Sequence, residues 1–279
     1  MQEVSMQKEY KIGISSHTVY NAVVQLTRKA DLSGNIFCAR LKVCHFLKED
    51  AHVARDFSYF CILDNLNSFI MSKAIITYYG HSCFKVEADG SSVIFDPYEN
   101  GSVPGLQLPD DIKADAVSCS HQHGDHNAAH LINTTGKKLR FGLSKLTVPH
   151  DHHQGAHRGL SDITFVELPD LTIAHLGDLG RLPTKEEYDK LAKADVVLLP
   201  CAGYFTISSK EAAEVIDHLK HPCLKILMHF REGRRGYDVQ ESIDDVMKDI
   251  KGVKRLSTST ITVDNANIQD EIITLEPKQ

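Results

Sequence analysis

The sequence predicts an α/β protein in which two β-sheets pack face to face with helices outside them, a four-layer αββα sandwich. Short apolar strands follow one another in the middle of the chain, whereas strands and amphipathic helices alternate toward the C-terminus. Hydrophobic residues make up 42% of the chain and charged residues 24%, the balance of a globular protein. No run approaches the roughly 18 apolar residues that a membrane span requires.

Strands are predicted from short apolar segments bounded by turn residues. Three of them, over residues 74–79, 83–88 and 92–96, come in close succession, and Asp89-Gly90 predicts a hairpin turn between the second and the third. Later strands are predicted over residues 116–119, 146–149, 163–168, 171–175, 196–199, 224–228, 260–263 and 272–275.

Helices are predicted where the apolar period changes to that of an amphipathic helix. Thr184 followed by Glu187 forms the pattern of a capping box, and Ser208 has the position of an N-cap. The three predicted helices cover residues 184–192, 208–219 and 239–250.

The first 73 residues differ in composition from the rest of the chain. They contain none of the nine prolines and only two of the 17 glycines. We expect residues 1–73 to be an N-terminal extension, either a small helical module or a poorly ordered segment, and residues 74–279 to be the main domain. A third interpretation is that translation begins at Met71, directly before the first strand.

Composition also narrows the function classes. A net charge of −6 disfavours a protein that binds nucleic acid through bulk charge. Seven cysteines without a tight spacing favour reduced thiols over a disulfide scaffold, and the N-terminus lacks a signal-peptide pattern. We therefore expect a cytoplasmic protein that acts on a small molecule without a membrane, either as a monomer or as a homo-oligomer.

Histidine carries the strongest functional signal, because nine of the 16 histidines lie in residues 121–175. The densest part is the motif His-Gln-His-Gly-Asp-His at residues 121–126, directly after a predicted strand. Imidazole and carboxylate groups are ligands of zinc and iron. One metal cannot readily take four donors from so short a loop. Two adjacent metals can, with the first two histidines on one metal and the aspartate and last histidine on the other.

The motif His-x-His-x-Asp-His after a short strand resembles the signature of the metallo-β-lactamase superfamily. Further landmarks of that family occur in the same order, namely Gly80-His81-Ser82, the Asp96-Pro97 turn, His150 after a strand, Asp178 in a Gly-Asp turn, and His229 ending a late strand. The resemblance covers about residues 74–230. It is nearest to compact hydrolases, the group that includes the ascorbate-6-phosphate lactonase-like proteins.

This resemblance implies a binuclear site with two divalent ions, Zn²⁺ in the first place, with Mn²⁺ and Fe²⁺ as alternatives. It places one metal on His121, His123 and His150, the second on Asp125, His126 and His229, and Asp178 between them. Asp125 and Asp178 are the predicted catalytic residues, which hold and orient a hydroxide shared by the metals. A bound divalent ion lowers the pKa of water to about 7 and so makes hydroxide available at neutral pH.

Such metals specify hydrolysis rather than a substrate. We expect a small ester or lactone, and an anionic group on it would suit the guanidinium forks of Arg231, Arg234 and Arg235. His81 is a further candidate substrate-binding residue, with a structural turn histidine as the alternative. His152, His153 and His157 are either loop residues or supports of the metal site. The alternatives to this function are a phosphodiesterase or nuclease of the same fold, a non-hydrolytic di-iron protein and a histidine-rich metal-binding protein.

Overall fold

The structure, a computed structural model, describes residues 72–150 and 158–279. The predicted extension over residues 1–73 therefore lies almost entirely outside the described residues, and so does the alternative start at Met71. His152, His153 and His157 also lie outside them. None of the helices in the described ranges has the length and apolar character needed to cross a membrane.

Fourteen strands and three α-helices form in the described residues. In chain order the strands are β1 (Lys73–Gly80), β2 (Cys83–Ala88), β3 (Ser91–Phe95), β4 (Lys113–Ala114), β5 (Ala116–Ser118), β6 (Asn133–Thr134), β7 (Gly142–Pro149), β8 (Leu160–Glu167), β9 (Thr172–His175), β10 (Val196–Pro200), β11 (Leu224–Met228), β12 (Val253–Arg255), β13 (Thr260–Asp264) and β14 (Glu271–Thr274). The helices are α1 (Lys185–Leu191), α2 (Ser209–His218) and α3 (Ile243–Asp249).

Two sheets form the predicted sandwich, and the α/β class is confirmed. One sheet has the strand order β13-β1-β2-β3-β5, and the other has the order β12-β14-β11-β10-β9-β8-β7. β1, β2 and β3 pair antiparallel, because short turns join them. β9, β10 and β11 pair parallel, since α1 and α2 connect them.

Alternating side chains of the central strands build two cores. In β10, Val196 and Leu198 face the five-stranded sheet and belong to one cluster with Phe84. Val197 and Leu199 point the other way, into a cluster that includes residues of all three helices. Both faces of β10 are thus buried, which explains why its sequence is a continuous apolar run.

The outer face of the five-stranded sheet is covered differently in the described residues. Tyr98, Val103 and Leu106, from the segment after β3, pack with Cys83 and Ile94. That segment continues into the short ribbon β4-β6 and one 3₁₀ turn, Ala129–Leu131. The described α-helices instead contribute to the core on the outer side of the seven-stranded sheet.

Three differences from the predicted elements have local causes. β7 begins at Gly142 rather than at residue 146, because its first half lies at the sheet edge with exposed side chains and lacks an apolar pattern. α3 begins later than predicted, since the Ser242 hydroxyl accepts a hydrogen bond from Asp245 N and caps it there. β4, β6 and β12 have only two or three residues, too few for a periodic signal.

The start of α1 has the predicted capping box, reinforced by an ion pair. Glu187 Oε2 accepts a hydrogen bond from Thr184 N at 2.7 Å, while Thr184 Oγ1 accepts one from Glu187 N. Both carboxylate oxygens of Glu187 also accept hydrogen bonds from the Arg181 guanidinium, at 2.8 and 2.9 Å. These hydrogen bonds, Arg181's foremost, hold the pKa of Glu187 below its ordinary value of 4.5.

We predict that Glu187→Gln lowers the free energy of unfolding by about 1–2 kcal/mol at pH 7, because it removes a charged cap and an ion pair. A carboxyl group with a depressed folded-state pKa stabilises the protein above its unfolded pKa, and this contribution is lost as the pH falls through the folded pKa. The gap between wild type and variant, measured by urea unfolding, should therefore close in acid. Glu186→Gln, an exposed change in the same helical turn, is the control. An equal loss in both variants would contradict the prediction.

Candidate metal centre

The predicted metal ligands converge because each follows the end of a strand. The loop 121–126 follows β5, and the other ligands follow β7, β9 and β11, namely His150, Asp178 and His229. β5 belongs to one sheet and the other three strands to the second. The side chains therefore meet at one edge of the sandwich, where the two sheets face each other.

These side chains form three groups, and within each group the candidate ligand atoms lie within 4.8 Å of one another. The first group is His121, His123 and His150, and the second is His81, Asp125, His126 and His229. The third joins Asp178 with His121 of the first group and His126 of the second. The division agrees with the one that the family resemblance implies, with His81 added to the second group. The structure thus brings together every residue predicted to bind metal.

Asp178 lies between the two groups, and its two oxygens face different sides. Oδ1 is 3.3 Å from His126 Nε2 and 3.3 Å from His229 Nε2. Oδ2 is 3.1 Å from His150 Nε2 and 3.8 Å from His121 Nε2. One carboxylate oxygen therefore addresses each group, which is the arrangement that a metal-bridging aspartate requires.

The rings of His121, His126 and His229 present Nε2 to the centre and hold Nδ1 on an outer partner. His126 Nδ1 donates to Asp96 Oδ2 at 2.9 Å, and His121 Nδ1 lies 2.9 Å from the Ser120 hydroxyl. The Nε2 atoms of His121, His126 and His229, and Asp178 Oδ1, are buried without a hydrogen-bond partner in the described structure. Metal-binding histidines have this pattern, so the residues present fit divalent ions.

Asp96 orients ligands of both groups. Its Oδ2 accepts a hydrogen bond from the Ser120 hydroxyl at 2.7 Å in addition to the one from His126, and its Oδ1 accepts one from Ser120 N at 2.6 Å. Since the Ser120 proton points to Asp96, the serine oxygen is free to accept from His121 Nδ1. A single buried carboxylate thus sets the ring orientation of one histidine in each group.

His229 has a side-chain amide as its outer partner. Gln240 Nε2 lies 2.7 Å from His229 Nδ1 and donates to His229 O at 3.1 Å. A metal on Nε2 requires a proton on Nδ1, so metal binding would turn the amide oxygen toward this nitrogen. Gln240 lies in the segment before α3 and carries no motif that a sequence search would detect.

The charges of the centre call for cations. Burial alone would raise the pKa of Asp178, but the positive charge of His126 holds it well below its ordinary value. Burial alone would lower the pKa of His126, but Asp178 and Asp96 raise it to about 10. Burial lowers the pKa of His121 to about 3 and that of His229 well below its ordinary value, so these rings are neutral ligands. A bound metal ion would take the place of the His126 proton and stabilise the buried carboxylates beside it.

Asp125 is held by two residues that the sequence did not connect with it. The Tyr237 hydroxyl lies 3.1 Å from Asp125 Oδ2 and 2.9 Å from Ser102 O, so its proton can go to either oxygen. Burial, and then Asp125, raise the pKa of Tyr237, and the hydroxyl remains a donor at neutral pH. His81 Nε2 lies 3.4 Å from the same carboxylate oxygen.

His81 lies deeper in the centre than a residue at a pocket mouth. Both of its ring nitrogens are buried without a hydrogen-bond partner in the described structure, and its ring centroid is 4.0 Å from that of His229. Its backbone has a φ of 55°, a left-handed conformation that His229 shares at 60°. The structure therefore places His81 among the candidate metal ligands. Its predicted contact with substrate stays a prediction.

The three predicted anion-binding arginines lie on the loop after β11. Arg235 forms ion pairs with Glu232 at 2.6 Å and Glu276 at 3.1 Å, and Arg234 is exposed. Arg231 bridges to Ser242 through its backbone. Between described residues, no recorded contact joins these guanidinium groups to the histidine groups. Their predicted role toward an anionic substrate stays a prediction, and Arg235 already has two carboxylate partners.

The turn that carries Asp178 depends on a glycine. Gly177 has a φ of 51°, and a Cβ there would lie 2.7 Å from both Ser120 Cβ and Ser161 Oγ. His175 supports the turn, because its Nδ1 accepts from Gly177 N at 3.2 Å and its Nε2 donates to Ser82 O at 2.8 Å. The absence of a side chain at residue 177 therefore allows Asp178 to approach the loop 121–126.

Sequence comparisons agree with this geometry. A family model described as a beta-lactamase superfamily domain matches residues 75–229. A UPF0173 metal-dependent hydrolase of Methanopyrus kandleri is 27% identical over 194 residues, which cover 56% of this chain and 83% of the relative. Another UPF0173 metal-dependent hydrolase, of Caldivirga maquilingensis, is 30% identical over 183 residues, which cover 54% of this chain and 79% of that relative. The narrower resemblance to the ascorbate-6-phosphate lactonase-like proteins stays a prediction.

Solved structures share the architecture. A structure from Thermotoga maritima, named for the Zn-dependent hydrolases of the metallo-β-lactamase superfamily, has a TM-score of 0.56 at 25% identity and covers 72% of this chain and 97% of that one. Igni18, a metallo hydrolase from Ignicoccus hospitalis, has a TM-score of 0.52 at 17% identity, covers 74% and 97%, and shares the fold. Since the family model spans more than half of the chain and the fold agrees, the chain belongs to the metallo-β-lactamase superfamily.

Proposed function

We propose that this protein is a binuclear metal-dependent hydrolase of small esters or lactones, with Zn²⁺ as its preferred ion. The observation that carries the proposal is the placement of Asp178, whose two oxygens face imidazole nitrogens of separate groups. Three of the facing nitrogens, Nε2 of His121, His126 and His229, are buried without a hydrogen-bond partner in the described structure. The relatives named metal-dependent hydrolases support the same reaction class.

The proposed site would hold one ion on His121, His123 and His150 and the other on Asp125, His126 and His229, with Asp178 bridging. Two bound divalent ions supply hydroxide at neutral pH and offset the negative charge that develops on the substrate's carbonyl oxygen.

The chain's own residues would orient the reactants. Asp125 would accept a hydrogen bond from the attacking water, and Tyr237 and His81, which both contact its Oδ2, would fix the orientation of the carboxylate. Burial at the edge of the sandwich would keep the ligand rings in one orientation, so that little reorganisation accompanies the reaction.

We further propose that the protein acts in the cytoplasm on a small molecule and binds neither nucleic acid nor a membrane. A homo-oligomer is one of the assembly states that we propose for it. The described cysteines support a reducing compartment, since Cys83, Cys119, Cys201 and Cys223 are free thiols. Burial raises the pKa of Cys119 to about 11, so this thiol is protonated and unreactive at neutral pH.

Metal analysis tests the binuclear site. Protein reconstituted with Zn²⁺ should contain about two ions per chain by plasma mass spectrometry, and His150→Ala and His229→Ala should each retain about one, because each removes a ligand of one group. His130→Ala, a change at an exposed histidine beside Glu99, should retain both ions. One ion in the wild type, or two in both ligand variants, would disprove the proposed arrangement.

Asp96→Asn tests the shared outer partner. We expect the affinity for both ions to fall about 10- to 100-fold, because a ligand in each group loses its orienting hydrogen bond. Ser120→Ala should weaken only the ion on the His121 group. Affinities are measured by competition with a chelator, and Asp195→Asn, which alters a half-buried carboxylate that accepts a hydrogen bond from Thr172 N, is the control. Equal effects of Ser120→Ala on both ions would contradict this prediction.

A substrate panel tests the reaction. We expect the Zn²⁺-loaded protein to hydrolyse 4-nitrophenyl acetate and simple lactones, to lose turnover on chelation and to regain it with Zn²⁺. His123→Ala should reduce kcat/KM about 100-fold, since one ion loses a ligand. Turnover of bis(4-nitrophenyl) phosphate alone would favour the phosphodiesterase alternative. Full activity of His123→Ala would exclude the metals from the reaction.

A further inference from the structure

Arg158 lies beside the metal centre and has no part in the proposed hydrolysis. Its Nε is 3.3 Å from His150 Nε2, and its Cζ is 4.6 Å from the centroid of the Phe205 ring. Among the ion pairs formed between described residues, none includes Arg158. Its recorded contacts thus use Nε and the flat face of the guanidinium, and they leave the two Nη groups for a ligand.

The backbone holds Arg158 at this place. His150 N donates to Gly159 O at 2.9 Å, and Pro149 pairs with Leu160 at the end of the β7–β8 ladder. Arg158 therefore lies at the end of the paired strands β7 and β8, directly beside His150, a candidate ligand of the first group. Its side chain is half-buried, so less conformational entropy is lost when it binds a ligand than for a fully exposed arginine.

Aromatic side chains continue the surface that begins at Arg158. We call Tyr204, Phe205 and Tyr237 the aromatic shelf. The Phe205 ring centroid is 4.7 Å from that of Tyr204 and 5.2 Å from that of Tyr237. Tyr204 is 39% exposed, and its φ of 56° is strained for a residue other than glycine.

The aromatic shelf spans both metal groups. Phe205 O lies 3.1 Å from His150 Nε2 at the first group, and the Tyr237 hydroxyl lies 3.1 Å from Asp125 Oδ2 at the second. The positively charged guanidinium of Arg158 thus lies at one end of the aromatic shelf, which runs along the two metal groups. Guanidinium groups pair with carboxylate and phosphate oxygens through two parallel hydrogen bonds, and aromatic rings bind flat apolar groups.

We propose that Arg158 binds a carboxylate or phosphate group of the substrate while the aromatic shelf holds its apolar body, so that the preferred substrates are small anionic esters. This inference rests on the proposed hydrolase function, and it assigns to Arg158 the role that the sequence pattern gave to Arg231, Arg234 and Arg235. The positive charge beside the centre favours such substrates in a protein whose net charge is −6.

A matched pair of esters tests the proposal. 4-Acetoxybenzoate and its methyl ester carry the same acetyl ester bond, but only the first has a free carboxylate. We expect the wild type to prefer the anionic ester about tenfold or more in kcat/KM. Arg158→Gln should lose about 10- to 100-fold toward this ester, mainly through KM, the range for a hydrogen bond to a charged group. Toward the methyl ester it should change less than about threefold.

Two further arginine variants are controls. Arg255→Gln removes the same charge at β12, the opposite edge of the seven-stranded sheet from β7, where Arg255 pairs with Asp244. Arg255→Gln should leave kcat/KM toward the anionic ester and toward the methyl ester unchanged. Arg234→Gln tests the rival position on the loop after β11. If Arg234→Gln abolishes the preference and Arg158→Gln does not, the proposal is overturned.

Direct binding separates failure of this inference from failure of the proposed function. Calorimetry with benzoate, phenylphosphonate and neutral benzamide should show tighter binding of the anions, lost in Arg158→Gln while two ions per chain are retained. Tighter binding of benzoate would indicate a carboxylate site, and tighter binding of phenylphosphonate would indicate a phosphate site. If the wild type hydrolyses neither ester but binds benzoate through Arg158, the anion site stands and the hydrolase proposal fails. Loss of metal, or an equal loss toward both esters, would instead assign Arg158 to holding His150 and overturn the inference.

Discussion

The buried carboxylate of Asp178 is the group on which the rest of the site depends. Its side chain is 2% exposed, and four imidazole nitrogens lie within 3.8 Å of its oxygens. A buried charge of this kind is costly unless opposite charge and hydrogen bonds compensate it. Bound cations would provide that compensation, and the histidine rings around Asp178 are placed so that they could hold them. The Asp178 side chain therefore affects both the stability of the fold and the chemistry of the site.

The sandwich meets this demand by ending its strands at a common edge. Strands of both sheets stop where the ligands begin, and the two apolar cores on either side of β10 keep those ends in register. Backbone strain is concentrated at the same place, since His81, Asp96 and His229 all have left-handed φ angles. The extensive burial of apolar side chains in the two cores stabilises a site that is locally unfavourable.

Much of the fold was predictable because alternation and capping are local signals. The strand β2 and the capping box of α1 are where the pattern placed them, and the motif at 121–126 led to the right edge of the sandwich. Tyr237 and Gln240 escaped prediction, because each reaches the centre through tertiary packing rather than through a motif. β7 was predicted too short for a related reason, since an edge strand with exposed side chains has no apolar period.

One small volume beside the site also constrains how the sequence can change. The missing Cβ of Gly177 leaves room shared by Ser120, Ser161 and the backbone of Asp162. A larger residue at 177 would collide with both serines, and a larger residue at either serine would press on the turn of Asp178. Substitutions at these three positions should therefore be strongly non-additive. Residues 120, 161 and 177 must therefore change together, and the packing at this point limits which sequences can keep Asp178 in its place.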